Sequence, residues 1–456
     1  MRSFTGLLCG MALIAPDLLQ AAAPAKLPAV EIPSTFEQGS ANLTSPKLSS
    51  PRWWEAFGDP ALNALVERVL QANMTIAQAA ARLNAARADA RLEASSSAPH
   101  IGIEAGASQA GGPLINAAGG SGALFTVRTT LSWELDLSGR LADNKSAARL
   151  DARAAEALLH HTRLLIAVQT AQTYWRAQFL AAAADLGRQR IALGQRQLDH
   201  TKQREEHGLS PINAAIDAAN ALALDQAELV AIEREQAIAR HRLAELAGSS
   251  TPIQIAPLAA ADPPVIPPGL PSAMLARRPD VAAAEAEFLA ADKRLSSARK
   301  SWLPSFSLTA SGGAASPSLG QILSSTAQSF GLNLLLGLPL FDGGRHKALV
   351  GHRRAEVELA AARYGGCVLG ALREVNDALA HSLAADRALD LATSRTLNEQ
   401  REFAAGQSKA EHGLQAAEIA DHQLDLLLEA RTYQLTAKFD RLEATLEVIR
   451  SLGGGW

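Results

Sequence analysis

Few residues in this chain have types and spacings that could support chemistry. His160 and His161 are adjacent, and two imidazoles can ligate a transition metal. Neighbouring residues on a helix point about 100° apart, so this pair is a poor clamp for one ion. We therefore predict a structural role for both histidines within a long helix.

Two other charged groups imitate catalytic or binding sites. Glu134 and Asp136 could form an acid pair, but they end an alternating strand pattern, and polar residues facing the lumen of a barrel explain them more simply. The run Arg277–Asp280 could be a basic site, yet a proline followed by an acidic residue is ordinary helix initiation. Neither group predicts catalysis.

The sequence also lacks the common catalytic signatures. It has no Walker A sequence, no H-E-x-x-H, no G-x-S-x-G and no paired CxxC. The net charge is −3 without a dense Lys/Arg run, which argues against a nucleic-acid partner because binding phosphates needs clustered basic residues. We predict no enzyme, no cofactor, no metal and no nucleic-acid partner.

The amino terminus has the pattern of an export signal. Arg2 precedes the apolar run "FTGLLCGMALIA" and then small residues, which predicts a signal peptide over 1–25 and an extended segment over 26–58. Cys9 lies too early in that run for lipid attachment, so we predict none. Removal of the signal peptide leaves Cys367 as the single cysteine, so no intrachain disulfide can form. We predict that Cys367 is a small apolar residue of a helix. No later apolar stretch reaches about 18 residues, so no transmembrane helix is expected.

The rest of the chain is a tandem duplication. Four landmarks recur at one offset without a gap, 205 residues further on (304 − 99 = 205). The pairs are Pro99 and Pro304, Gly139 and Gly344, Gly208 and Gly413, and Gly248 and Gly453. The sequence predicts a first repeat over 59–250, a Pro-rich linker over 251–271 and a second repeat over 272–456.

Each repeat combines a helical period with a period of two. Asp59 and Pro60 start a helix that is expected to end near Ser97. In "LFTVRTTLSWELDL" apolar and polar residues then alternate, which predicts a strand with one apolar face and with Arg128, Glu134 and Asp136 on the other. Two β-hairpins are predicted, over about 100–137 and about 304–342.

A rod-like helix follows each hairpin. From Gly139 to Glu206 nothing breaks the helical period, and nearly 70 residues would span on the order of 100 Å. Alanine-rich spacing with a seven-residue grid of large apolar residues predicts coiled-coil packing. The tetrapeptide "EHGL" ends the rod in both repeats, giving tip turns at about 206–210 and 411–415.

The strands pose a closure problem. Strands with one apolar face suit a barrel between lipid and water, but a sheet in lipid must be closed, and about eight strands barely enclose side chains. Four strands per chain therefore predict a barrel shared by several chains. The alternative from these residues is a soluble β-sandwich with an exposed coiled coil.

Seven motifs in order resemble the TolC-type outer-membrane factors, in the branch that serves tripartite efflux pumps of the RND class. They are "WWEAFGDPALNALVERVL", "LSWELDLSGR", "LARRPDVAAAEAEFLAADKRL", "SWLPSFSLTAS", "LPLFDGGR", "LREVNDALA" and "LGGGW". The resemblance covers about residues 50–456. It implies a mainly α fold with membrane β, in which three chains form a 12-stranded barrel continued by an α-helical tunnel through the periplasm.

The resemblance also implies function and partners. It predicts an outer-membrane channel that conducts drugs or other small toxic compounds, working as a homotrimer with a periplasmic adaptor and an inner-membrane pump. The family's adaptor-docking turns, commonly Val-Gly-Leu, match two triplets here: His207, Gly208, Leu209 and His412, Gly413, Leu414. Histidine in place of valine is a departure. The alternatives are a type I secretion channel or a periplasmic coiled-coil adaptor that never enters a membrane.

Overall fold

A computed structural model describes residues 27–36, 52–111, 121–211, 213–253, 264, 271–322, 324 and 328–454. The predicted signal peptide with Cys9, residues 37–51 of the predicted extended segment and most of the Pro-rich linker lie outside these residues. The chain divides into two compact units. A sheet unit comprises Leu92–Ala147 and Phe288–Ala362, and a helical unit comprises Val30–Arg91, Ala148–Glu287 and Arg363–Trp456.

The helices and strands follow the two repeats. In the first repeat they are α1 Pro60–Ala72, α2 Met74–Ser95, β1 His100–Gly111, β2 Ser121–Leu135, α3 Arg140–Glu206 and α4 Ala214–Leu246. In the second they are α5 Pro271–Leu275, α6 Pro279–Lys300, β3 Ser305–Ser316, β4 Gln328–Gly337, α7 Arg345–Glu411 and α8 Ala417–Ser451.

The duplication is visible in the helix lengths. Helices α3 and α7 each have 67 residues, and α7 begins 205 residues after α3 (345 − 140 = 205). Helices α2 and α6 have 22 residues each and keep the same offset (279 − 74 = 205). The gapless repeat predicted from the landmarks is therefore also a repeat of structure.

The first predicted helix is divided in two, which corrects the single helix expected from Asp59 to near Ser97. Asp59 does cap α1, since its Oδ1 accepts from the backbone N–H of Ala61 at 2.9 Å. At Asn73 the backbone turns extended, with φ −69° and ψ 127°. The Asn73 carboxamide then accepts from Thr75 N and caps α2, while its amide donates to the Leu246 carbonyl at 2.9 Å. The distant carbonyl, 173 residues away, is why local periodicity did not reveal the break.

The sheet unit holds one antiparallel sheet in the order β1-β2-β3-β4. Its register pairs Ile101 with Leu131, Leu131 with Ala310, and Ala310 with Leu332. Directly opposed residues point to the same side, so the apolar sets of all four strands share one face. This confirms the period-two interpretation of the strands. In the chain alone this face is open, and Phe330 is 97% exposed.

The helical unit is built around a large aromatic core. Trp53, Trp54 and Phe57 share this core with Trp175 of α3, and the Phe57 and Trp175 ring centroids lie 4.6 Å apart. Burying such side chains is the main favourable term that fixes the middle of α3. Among the residues that the structure describes, no helix has the length and apolar character needed to cross a bilayer.

Small residues let α3 and α4 approach closely. A Cβ added at Gly187 would lie 3.5 Å from Leu229 Cδ1, and one at Gly194 would lie 3.3 Å from Leu222 Cδ1. Gly187 and Gly194 are seven residues apart, and so are Leu222 and Leu229. The later glycine meets the earlier leucine, so the two helices run antiparallel. This is the knob-into-hole packing of an antiparallel coiled coil. On the neighbouring part of α3, Leu158 and Leu165 are exposed within the chain, whereas Leu159 and Ile166 beside them are buried.

Candidate functional site: a two-faced sheet and two helical turns

The second face of the sheet carries mostly polar and small residues, with Leu335 of β4 also on it. Arg128 lies on this face, opposite Glu104 on β1 and Gly313 on β3. A Cβ at Gly313 would fall 2.2 Å from the Val127 carbonyl oxygen, so the backbones approach too closely there for any side chain but hydrogen. The predicted lumen residue Arg128 thus lies on the face opposite to the apolar one.

The other two predicted lumen residues have structural partners at the strand-to-helix connection. Glu134 is the penultimate residue of β2, and its Oε1 accepts from Arg140 Nη2 at 2.7 Å. Asp136 follows the end of the strand, and its Oδ2 accepts from the backbone N–H of Ala142 at 2.7 Å. A carboxylate on the free amides at the start of a helix is favourable, so Asp136 supports the first turn of α3.

The two tip turns have the same backbone. Gly208 and Gly413 follow the ends of α3 and α7 with φ of +66° and +70°. The Leu209 N–H donates to the Arg204 carbonyl at 2.8 Å, and the Leu414 N–H donates to the Lys409 carbonyl at 2.8 Å. These bonds close a Schellman-type helix end, which needs a left-handed residue and so selects glycine.

Both turns present apolar side chains to solvent in the chain alone. Leu209 is 67% exposed and Leu414 is 79% exposed. Glu205 stabilises the first turn by accepting from the Ala215 N–H at 2.9 Å, at the start of α4. An ion pair between Arg204 and Glu418 joins the end of α3 to the start of α8. The turns are therefore ordered supports for two outward-pointing leucines.

A buried charged cluster was missed by reasoning from the sequence. Arg278 is only 5% exposed, and its guanidinium donates to both carboxylate oxygens of Asp280, to Glu374 Oε2 at 2.9 Å and to the Ser451 carbonyl at 2.8 Å. The start of α6 explains Asp280, as predicted, but not Arg278. Two of its partners, Glu374 and the Ser451 carbonyl, lie 96 and 173 residues away, and no local signal points to them.

This cluster shifts the titration of its neighbours. Burial, opposed by the nearby Asp280 charge, lowers the pKa of His161. Burial also raises the pKa of the Cys367 thiol to about 11, and the negative charge of Asp280 adds to this. Asp280 itself would be raised by burial, but the hydrogen bonds and charge of Arg278 outweigh that and hold its pKa below the ordinary value. The described residues contain no grouping of His, Cys, Asp and Glu suited to a metal ion.

Curated proteins resemble the chain over nearly its whole length. It is 27% identical to the probable efflux pump outer membrane protein SepC of Pseudomonas putida, covering 98% of this chain and 95% of that protein. It is 28% identical to outer membrane protein OprJ of Pseudomonas aeruginosa, covering 94% of this chain and 91% of that protein.

Solved structures share the fold. The CmeC outer membrane channel of Campylobacter jejuni superposes with a TM-score of 0.83 at 19% identity, covering 95% of this chain and 94% of that one. The MtrE outer membrane channel of Neisseria gonorrhoeae superposes with a TM-score of 0.81 at 23% identity, covering 94% of this chain and 97% of that one. The predicted TolC-like architecture is confirmed by this likeness.

A family model described as "Outer membrane efflux protein" matches the chain twice, over residues 65–249 and 270–454. The second match lies 205 residues after the first (270 − 65 = 205), in the register of the duplication. Together the matches cover most of the chain. The chain belongs to the outer membrane efflux protein family.

Proposed function

We propose that three copies of this chain form the outer-membrane channel of a tripartite efflux pump. The observation that carries the proposal is the sheet with one continuous apolar face and one polar face, whose outer strands β1 and β4 each pair on one side only within the described residues. Lipid suits the apolar face and water the polar face. The unpaired edges must be closed before such a sheet can enter lipid.

Closure between copies satisfies this requirement. In the order β1-β2-β3-β4 the two outer strands run antiparallel, so β4 of one copy can pair with β1 of the next without breaking the pattern. Three copies supply twelve strands (3 × 4 = 12). We infer that Arg128, Glu134 and Asp136 face the lumen of this barrel, and that the long helices of each copy continue it as a tunnel into the periplasm.

The proposed partners act at the periplasmic end. We infer that the turns at Gly208 and Gly413 dock a periplasmic adaptor, which joins the channel to an inner-membrane RND pump. The support is the repetition: both turns, one repeat apart, hold an exposed leucine on the same backbone geometry. The name of one relative, the toluene efflux pump outer membrane protein TtgF of Pseudomonas putida, supports small toxic compounds as cargo. The channel is passive and carries out no catalytic step.

The assembly is tested by fractionating cells and running unheated membrane extract on a gel. A heat-sensitive band of three chain masses in the outer-membrane fraction is expected, and chemical crosslinking should give dimers and trimers. Only soluble monomer would overturn the proposal.

The docking role is tested by replacing both turn glycines, Gly208→Val and Gly413→Val. A β-branched residue is strained at positive φ, so both turns should deform while the sheet, which contains neither glycine, still assembles. A photoreactive residue at position 209 should crosslink an adaptor in the otherwise wild-type chain but not in the double variant, and drug export should be lost. Normal crosslinking and export in the double variant would exclude the turns as the docking surface.

A further inference from the structure

The two tip histidines share one ring geometry. His207 Nδ1 lies 2.6 Å from the Gln203 carbonyl oxygen, and His412 Nδ1 lies 2.7 Å from the Ser408 carbonyl oxygen. Each bond reaches back four residues, and the two rings are one repeat apart (412 − 207 = 205). A carbonyl oxygen can only accept, so Nδ1 carries the proton in both rings.

This tautomer determines what each ring offers to its surroundings. When Nδ1–H is donated to the backbone, Nε2 of the neutral imidazole has a free lone pair and acts as a hydrogen-bond acceptor. Both histidines are exposed in the chain, beside Leu209 and Leu414. Each turn therefore offers a leucine side chain and an outward acceptor.

Two charged residues beside the first turn are already engaged. Arg204 pairs with Glu418 and also donates through Nη2 to the Leu209 carbonyl at 3.2 Å. Glu205 accepts from the Ala215 N–H. These bonds do not use the imidazole Nε2, which is accessible to an incoming protein together with the exposed carboxylate of Glu206.

We propose that His207 and His412 determine which adaptor the channel accepts, by receiving hydrogen bonds at Nε2 from donor side chains on the adaptor's docking loop. This rests on the docking role proposed above. A wholly apolar loop would bury two acceptors without partners, and an unsatisfied buried acceptor opposes binding more strongly than a made hydrogen bond favours it. Hydroxyl, amide or basic side chains opposite the rings are the matching chemistry.

The test uses the full-length trimer and the adaptor captured by the photoreactive residue at position 209. His207→Gln with His412→Gln retains an outward carbonyl acceptor, and His207→Lys with His412→Lys offers only donors. We expect the glutamine variant to bind the adaptor within about threefold of wild type and the lysine variant to lose about tenfold or more, since a hydrogen bond contributes roughly that factor. His200→Lys makes the same residue change once, at an exposed site of α3, and serves as the control for a single substitution.

A second measurement separates the hydrogen bond from general disruption. Replacing the adaptor's donor residues by alanine should abolish the difference between the wild-type and lysine channels, as in a double-mutant cycle. Unchanged trimer heat-resistance shows that the variants assemble. If the lysine variant binds as well as wild type, or loses no more than His200→Lys, the histidine role is excluded although docking stands. If the wild-type channel captures no adaptor at all, the docking role fails and this inference fails with it.

Discussion

Asn73 and Arg278 occupy the same position in the two repeats and satisfy the same backbone group with different chemistry. Each donates to a carbonyl at the end of the returning helix, Asn73 to Leu246 at 2.9 Å and Arg278 to Ser451 at 2.8 Å. The neutral carboxamide needs no counter-ion. The buried guanidinium does, and Asp280 with Glu374 supplies it. The second repeat therefore carries a titratable cluster that the first does not need.

This cluster predicts a dependence of stability on pH through His161. Burial lowers the pKa of His161 in the folded chain. The negative charges of Asp280 and Glu374 oppose this shift, and the positive charges of Arg278 and Arg450 add to it. Above its ordinary pKa of 6.5 the ring is neutral in the folded and the unfolded chain, so it does not make the stability depend on pH there. As the pH falls through that value the unfolded chain takes up the proton first, so stability declines.

The measurement is the urea midpoint of the detergent-solubilised protein between pH 7.5 and 5.5. His161→Gln should flatten the decline, and the exposed neighbour His160→Gln should leave it unchanged. Equal slopes for His161→Gln and wild type would mean that other groups control the pH dependence.

At the scale of single elements, helix ends are fixed by glycines in two different settings. Gly208 and Gly248 have almost the same positive φ, +66° and +63°. A Cβ at Gly208 would meet no atom within 4 Å, whereas one at Gly248 would lie 2.7 Å from the Ala72 carbonyl oxygen. The tip glycine is needed for its conformation alone, and the inner glycine for conformation and space.

Alanine substitutions separate these two needs. Gly208→Ala should destabilise the chain by about 1 kcal/mol, the strain of a left-handed residue. Gly248→Ala should add a steric term of about 1–3 kcal/mol, because α1 must shift away from the end of α4. Urea unfolding of both variants measures the difference, and indistinguishable midpoints would contradict the close approach at Ala72.

The strand faces predict a labelling pattern. In a Cys367→Ser background, cysteines replacing Arg128, Glu134 or Asp136 should react with water-soluble thiol reagents. Cysteines replacing Phe125, Val127 or Leu131 should stay protected in the membrane. The reversed pattern would mean that the faces are exchanged, since a shift of one residue moves every side chain to the other side.

How much the sequence predicts depends on how local the signal is. The strand faces and the turn glycines are predicted by neighbouring residues in the sequence. The sheet register confirms the strand faces, and the positive φ values confirm the conformation of the glycines. The break at Asn73 and the burial of Arg278 depend on carbonyls 173 residues away. Periodicity also marks an apolar stripe without showing which edge of it the neighbouring helix covers, and within the chain Leu159 is buried whereas Leu158 is exposed.

At the scale of the whole molecule, the internal duplication determines what the chain can assemble into. Two copies of one helix–hairpin–helix plan contribute two hairpins to a single sheet, and the outer strands leave the sheet ready to pair with further copies. Assembly and membrane insertion should therefore depend on the same apolar face.

A charge on that face should block assembly. Leu332→Arg puts a cation on the apolar side of β4, and a lipid-facing arginine destabilises a barrel by about 2–4 kcal/mol when it lies near the bilayer midplane. Asn333→Arg puts the same cation on the polar side. The heat-sensitive trimer should be lost or strongly reduced only in Leu332→Arg. Equal trimer yields for the two variants would contradict lipid contact by this face.

The matched lengths of α3 and α7 bear on how this gene can evolve. One codon inserted between Gly187 and Gly194 would rotate everything beyond it by about 100°, so that Leu222 would meet a side chain instead of a glycine. Such a frame-preserving insertion survives only if α4 changes in compensation or if whole heptads are added. Length variation among descendants should therefore accumulate outside the paired helices, and the two 67-residue helices should drift in sequence long before they drift in length.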